Sequence, residues 1–459
     1  MLSKKVWLFF IFIMGMLCTS CVREAETSQP VSQIPIEQDT LKMEPDFSYE
    51  VPIQQPHIRV DRTGYRNRDK KVAFFYGMDL EETFEVRDKD TDTTIYTGTL
   101  SKIRDEKDGT LYYGVFSSLE ESGKYYIHQK QIGDSYSFSI NNATYNSEYR
   151  QLESTLLHSE YTKVSDLAFF LANYMFVDEM FPKTWTNMSY INSKMELLLA
   201  SQDAATGAFY EDIQQDMPQD QTLGVTIDPT GENEPKEVSL LATIQMAGVL
   251  AQYVCHYRES EDAVLVNACL LASQKAYRYA EKYRDEMETD AWYFASTQLY
   301  RLTRQYKYSS AIAEYDALKD KAHKNSAYGY TMLADFTYLC TPYGTNYERC
   351  EQLLDRYLDK AQDISVHSSR EHFYVLPDIE NMSEQEILED MMLLGVVNLV
   401  LSGQEYTGAQ KNYIHYLSGV NADNRDYLAE YRNESDNRNN LIRLFVVYAN
   451  LYDTAINEN

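Results

Sequence analysis

Cysteine, tryptophan and basic residues are scarce in this chain, and each scarcity removes a class of function. Six cysteines occur in 459 residues, and beyond Cys21 only Cys255, Cys269, Cys340 and Cys350 remain. None of these four has Cys-x-x-Cys spacing, so there is no zinc signature. Whether Cys340 and Cys350 pair is open at this stage, whereas Cys255 and Cys269 fall in apolar helical patterns as small hydrophobes. No Gly-rich phosphate loop and no Gly-x-Ser-x-Gly elbow is present. His367 and His372 sit five apart in a loop-like stretch, without the i, i+4 spacing of a helical zinc site. The formal net charge is −28. Nucleic acid and anionic membrane surfaces would repel such a chain, which excludes both as direct partners.

What the chain does have is apolar content of 44 % and 39 tyrosines. The first figure is ample for a large buried core. Tyrosine joins a flat apolar face to a polar edge, which suits sugar rings and interface packing alike. The length predicts two domains.

The first 21 residues read as a targeting segment. Lys4 and Lys5 precede an apolar run over 6–17, too short to span a bilayer. Cys18-Thr19-Ser20-Cys21 follows and resembles a bacterial lipoprotein box, with Cys21 as the lipidated residue. That resemblance implies a lipid anchor at a bacterial cell surface as the sole membrane contact. Residues 22–56 are polar and carry Pro30, Pro35, Pro45, Pro52 and Pro56, the composition of a disordered tether.

Over 57–141 the apolar pattern has period two. Strands are expected near 58–61, 72–76, 83–87, 94–96, 111–116, 124–128 and 135–140, with turn signals such as Lys107-Asp108-Gly109 between them. This spacing predicts an antiparallel sandwich of immunoglobulin type. From about Tyr145 to 459 the period is helical in about a dozen segments. The clearest covers 238–257, with Leu240, Leu241, Ile244, Ala247, Gly248, Ala251 and Val254 on one broad face. Such wide apolar faces fit helices packed on two sides. The absence of a fixed repeat period favours a closed (α/α)6 toroid over an open array.

Particular runs carry a resemblance. Ile58-Arg-Val-Asp61, Gly64-Tyr65, Phe84-Glu-Val-Arg-Asp88 and Gly123-Lys-Tyr-Tyr-Ile127 follow one another as in the N-terminal immunoglobulin-like domain of bacterial cellulases. Gly207-Ala-Phe-Tyr210, Asp290-Ala-Trp-Tyr-Phe-Ala295, Tyr416-Leu-Ser-Gly-Val-Asn421 and Asn433-Glu434 resemble glycoside hydrolase family 9. The resemblance implies a β-sandwich followed by an (α/α)6 toroid. It also implies inverting hydrolysis of β-1,4-glucans, with a β-glucan or related oligosaccharide as ligand.

Inverting hydrolysis uses two carboxyls about 6.5–9.5 Å apart, one protonating the leaving oxygen and one activating water. By resemblance the acid is Glu434. A first-turn glutamate also stabilises the helix that follows it through the dipole. For the base, the family's Asp-Ala-Gly-Asp run finds its counterpart in Leu157-His158-Ser159-Glu160, followed by Tyr161-Thr162-Lys163. Leu157 cannot orient water, and Glu160 is one methylene longer than the family's Asp. Asp166 is the second candidate base, further along the same segment. Tyr161, Arg425 and Arg432 are the candidate sugar contacts, although 422–432 contains none of the histidines of the family's His-His-Arg loop. No cofactor and no catalytic metal is expected. The acidic stretch 380–389 is the candidate for a structural calcium ion, without the alternating spacing of a calcium loop. The shortened site admits a second reading, a catalytically inactive scaffold of the same fold that binds a glycan or a partner protein.

Overall fold

The computed structural model describes residues 55–184, 186–213, 237–259, 262–286, 289–322, 328–433 and 437–457. Cys21 and nearly all of the tether read over 22–56 therefore lie outside the described residues. Eight strands come first: β1 (Ile58–Arg59), β2 (Val72–Gly77), β3 (Thr83–Asp88), β4 (Thr94–Glu106), β5 (Gly109–Val115), β6 (Gly123–Gln129), β7 (Gly133–Asp134) and β8 (Phe138–Ile140). β1, β2, β5 and the second half of β4 form one antiparallel sheet. The first half of β4 pairs with β3, which continues through β6 to β7 and β8. Inward residues alternate as period two requires: Phe84 and Val86 are buried on β3, Tyr125 and Ile127 on β6.

β4 is the element the sequence under-read. The expected strand stopped at 96, yet it runs on to Glu106 and belongs to both sheets. Ser101, Lys102, Arg104 and Asp105 are exposed, so no buried face marks the extension. The change of partner falls between Thr99, paired with β3, and Leu100, paired with β5, and a register shift between Lys102 and Arg104 follows within the β5 pairing. Glycine is required at Gly98, because a Cβ there would lie 2.3 Å from the Phe84 ring.

The helical part begins with α1 (Thr144–His158), α2 (Val164–Met180) and α3 (Met188–Ala200). Two short strands, β9 (Phe209–Tyr210) and β10 (Val238–Ser239), pair antiparallel ahead of α4 (Leu240–Tyr257). Then follow α5 (Ala263–Ala280), α6 (Thr289–Thr303), α7 (Tyr306–Ala322), α8 (Thr331–Leu339), α9 (Tyr347–Ser368), α10 (Glu384–Val400), α11 (Thr407–Leu417), α12 (Tyr427–Asn433) and α13 (Arg438–Asn457). Helices α2, α4, α6, α8, α10 and α13 are the inner ring. Around it α2 packs on α4, α4 on α6, α6 on α8, α10 on α13, and α13 back on α2, while α9 touches both α8 and α10. Burial follows from sequence. α2 is buried from Val164 through Val177 except at Asp166, with no polar stripe, as an inner helix must be. α9 instead buries Leu353, Tyr357, Ala361 and Ile364 on one stripe and lies outside.

The sandwich and the (α/α)6 toroid meet along a polar seam. Asp61 faces His415 at 2.5 Å, and Lys411 reaches Asp69 at 2.8 Å. The Arg62 amide donates to the Ser418 carbonyl (3.0 Å) and the Thr63 amide to Ser418 Oγ (2.8 Å). Asn424 Nδ2 donates to the Pro56 carbonyl at 2.8 Å, and Phe74 packs on Phe373 with centroids 4.9 Å apart. Part of the Tyr416–Asn421 motif is thus explained by docking. Gly419 has φ +120°, and a Cβ there would lie 3.0 Å from the Val60 carbonyl.

Several expectations need correction. α12 was not foreseen. His367 lies in the last turn of α9, not in a loop, with Nδ1 2.9 Å from the Asp363 carbonyl. Cys255, Cys269, Cys340 and Cys350 are all free thiols. Burial pushes the Cys269 thiol up to about 12 and the Cys255 thiol up to about 11. Among the described residues no group of three or more His, Cys, Asp or Glu is placed to hold a metal ion, and no helix is long and apolar enough to cross a membrane.

Candidate active site

Alternation of outer and inner helices brings the N-terminal ends of the inner helices to one rim. Hydrogen bonds between those ends define it. The Val164 amide donates to the Glu211 carbonyl (2.7 Å) and the Ile213 amide to the Thr162 carbonyl (2.9 Å), so the start of α2 is laced to the segment that directly follows β9. Ser165 Oγ donates to Glu211 Oε1. The Tyr328 hydroxyl lies 2.9 Å from Asp166 Oδ1 and 3.2 Å from Ser165 Oγ. With one proton to give, the phenol serves the carboxylate. Burial, joined by the nearby acids, pushes the Tyr328 pKa up and keeps it a donor.

The far side of the rim is built by α13. Arg443 is 2 % exposed, in the run Leu441-Ile442-Arg443-Leu444. Its Nη2 donates to the Tyr328 carbonyl at 2.9 Å and lies 3.4 Å from Glu389 Oε1, with the guanidinium 5.3 Å above the Phe169 ring. Asn440 Nδ2 donates to Glu384 Oε2 at 3.1 Å. Gly329, at φ +73°, lets the chain pass here, since a Cβ would lie 2.6 Å from Glu389 Oε1 and 3.0 Å from Arg443 Nη2. Asp290 Oδ2 accepts the Tyr330 amide at 2.8 Å, tying the start of α6 to that of α8. Below the rim, Tyr330 fills the ring between Phe169 (5.4 Å) and Phe294 (4.9 Å).

Residues 128–440 match the signature of glycosyl hydrolase family 9, and residues 53–134 match the cellulase N-terminal ig-like domain. The chain belongs to glycosyl hydrolase family 9. Among solved structures it is similar to the Bacteroides ovatus GH9 protein, with a TM-score of 0.66 at 14 % identity over 87 % of this chain and 99 % of that one. A metagenome-derived glycoside hydrolase family 9 endoglucanase gives 0.62 at 16 %, covering 81 % and 84 %. AaCel9A, solved in complex with cellobiose-like isofagomine, gives 0.61 at 16 %, covering 81 % and 83 %. These likenesses concern the fold. No curated protein sequence is similar enough to the chain to count as a match.

The structure separates the residues that the family resemblance singled out. Asp166 is half-buried in the first turn of α2 and belongs to the rim network. Glu160 is exposed in the loop between α1 and α2. Glu434 lies outside the described residues.

The three expected sugar contacts have other partners. Tyr161 is 5 % exposed, stacks on Phe170 at 5.5 Å, and is covered by Arg438 at 4.8 Å. It offers no open face to a sugar, which corrects its reading as a sugar contact. Arg432 is paired with Glu148 and braces α12 against α1. Burial raises the pKa of Glu148, and the Arg432 charge opposes that rise. Arg425, just ahead of α12, pairs with Glu430 in the first turn of that helix, its Nε 2.7 Å from Glu430 Oε1, and lies over Tyr427. Sequence reading missed Ser165, Glu211, Tyr328 and Arg443. For Arg443 a signal existed, a lone cation inside an apolar helical run.

Proposed function

We propose that this family 9 chain hydrolyses β-1,4-linked glucan with inversion, at the rim formed by the inner-helix N-termini. In this reading Glu434 is the proton donor and Asp166 the base, with Glu160 the alternative base. The observation that carries it is the Tyr328 bridge. Its hydroxyl bonds to Asp166 at the start of the helical domain, and its carbonyl accepts from Arg443, nine residues after Glu434. The chain is further proposed to be held at a bacterial cell surface by a lipid on Cys21. Radiolabelled palmitate incorporated by wild type and not by Cys21→Ala is the expected result for that anchor.

One observation favours the second reading, a binding scaffold without catalysis. Asp166 already accepts the Tyr328 proton, and Leu157 stands where the family places its first Asp. A single experiment separates the two readings. Reducing-sugar release is measured on carboxymethylcellulose, barley β-glucan and cellohexaose for wild type, Glu434→Gln, Asp166→Asn and Glu160→Gln, with the first product anomer read by proton NMR. Hydrolysis with initial α-anomer, lost in Glu434→Gln and in one base variant, is expected. Cellohexaose binding by the wild type without any sugar release would overturn the hydrolase and leave the scaffold.

A further inference from the structure

A cavity lies at the seam, away from the rim, with a volume of about 220 Å3. Its floor is the sandwich sheet of β1, β2, β4 and β5, and its other wall is the segment 371–380 with Tyr416 and Ala422. None of its lining residues belongs to the rim network around Tyr328 and Arg443.

A void left by imperfect packing between two faces is normally apolar. This one is lined by charge. Arg59 donates from Nη2 to the Ala422 carbonyl at 2.6 Å and lies 5.7 Å from the Tyr76 ring centroid. Its Nε is buried without an acceptor. A guanidinium stays charged, so a buried donor on it is costly until an oxygen arrives. Arg104 directs both Nε (3.0 Å) and Nη2 (2.8 Å) to the same oxygen of Glu106, which leaves Glu106 Oε2 to accept from elsewhere. His372 packs against Phe373 with 5.0 Å between centroids, and burial together with Arg104 lowers its pKa. A neutral imidazole offers one donor and one acceptor. Leu111 on the floor and Val375 and Ile379 on the opposite wall supply apolar surface.

We propose that this seam cavity binds one neutral pyranose ring, as a site separate from the rim. Hydroxyls need both donors and acceptors around an apolar face, and Arg59, Glu106 and His372 supply them over Leu111 and Tyr76. The volume lies below the ~300–1,000 Å3 of pockets for drug-sized ligands, so one ring fits and a chain does not. Glu106, Glu371 and Glu380 around the opening disfavour an anionic sugar. This inference does not rest on hydrolysis at the rim.

Saturation-transfer NMR on the purified protein tests it, with methyl β-D-glucopyranoside and sodium glucuronate as probes. The glucoside is expected to show transfer and the glucuronate none. Glu106→Gln and His372→Phe are each expected to weaken glucoside binding about tenfold or more, the scale of one lost hydrogen bond to a charged or buried group. Glu434→Gln leaves it unchanged. Thermal melting confirms that each variant is folded. Arg104→Ala, whose side chain is half-exposed, is the substitute if either pocket variant melts early. Absence of transfer, equal response to glucuronate, or unchanged affinity in folded pocket variants overturns the proposal. Loss of glucoside binding in Glu434→Gln alone would assign the sugar to the rim instead. Because the readout is binding, an inactive rim does not count against the seam cavity.

Discussion

Asp61 Oδ2 and His415 Nδ1 lie 2.5 Å apart across the seam between sandwich and toroid. The carboxylate is fully buried, and its other oxygen accepts the amides of Thr63 (2.7 Å) and Gly64 (3.0 Å). His415→Ala leaves that carboxylate short of its cross-seam partner and is expected to cost about 3 kcal/mol. Asp61→Asn keeps an acceptor for the two amides and is expected to cost less. Urea denaturation of both variants checks the order.

Asp69 gives the seam a pH dependence. Burial alone would raise its pKa, but the Lys411 charge and the hydrogen bonds from Lys411 and Tyr145 outweigh it and hold Asp69 below the ordinary carboxylate range. A folded pKa below the unfolded one means the unfolded state binds the proton more readily. The contribution is therefore present above the unfolded value of about 3.9 and is lost as pH falls through the folded value. Stability measured from pH 6 down to 2 is expected to drop below about pH 4. Lys411→Met is expected to flatten that drop.

Gly248 on α4 faces Phe294 on α6, where a Cβ would lie 2.5 Å from the ring edge and 3.1 Å from the Ala295 Cα. The backbone atom cannot swing away, so the two helices must separate. Gly248→Val is expected to lower stability by about 1–3 kcal/mol. A melting temperature equal to that of wild type would show that the inner ring yields here.

Tyr328→Phe removes the proton donated to Asp166 and keeps the ring contact with Phe169. The bond holds the carboxylate in place, and near-attack geometry tolerates little displacement. If Asp166 is the base, kcat is expected to fall about tenfold or more in this variant with a smaller change in KM. A kcat equal to wild type would remove Asp166 from the role and leave Glu160.

Arg443→Met is expected to loosen the rim more than its volume suggests, because the side chain links the Tyr328 carbonyl to Glu389. Removing one partner of a buried pair costs about 3–5 kcal/mol. A third of Glu389 is exposed, which discounts that figure toward its low end. Adding Glu389→Gln is expected to restore part of the loss, read as a double-mutant cycle.

Periodicity made most of the fold legible. Phe84 and Val86 gave away a strand and the unbroken apolar run of α2 an inner helix. What stayed hidden was polar: the second half of β4 has no buried face, and α12 is seven residues with no long apolar stripe. The site was legible only as far as single residues carry a motif. Asp166 could be named, but its partner Tyr328 lies 162 positions away and is brought to it by ring closure. Tyr161 failed for the converse reason, since a tyrosine facing a cleft and one sealed under Arg438 read alike.

The clasp between Asn424 and the Pro56 carbonyl, together with Arg59 on Ala422 and Arg62 on Ser418, has a mechanical meaning. Tension travelling along the polypeptide toward β1 is shared at once among several bonds to the 418–426 loop, so the first strand is not unzipped alone. The small β-domain then works as a bracket, passing any pull on β1 through Ser418 into the end of α11.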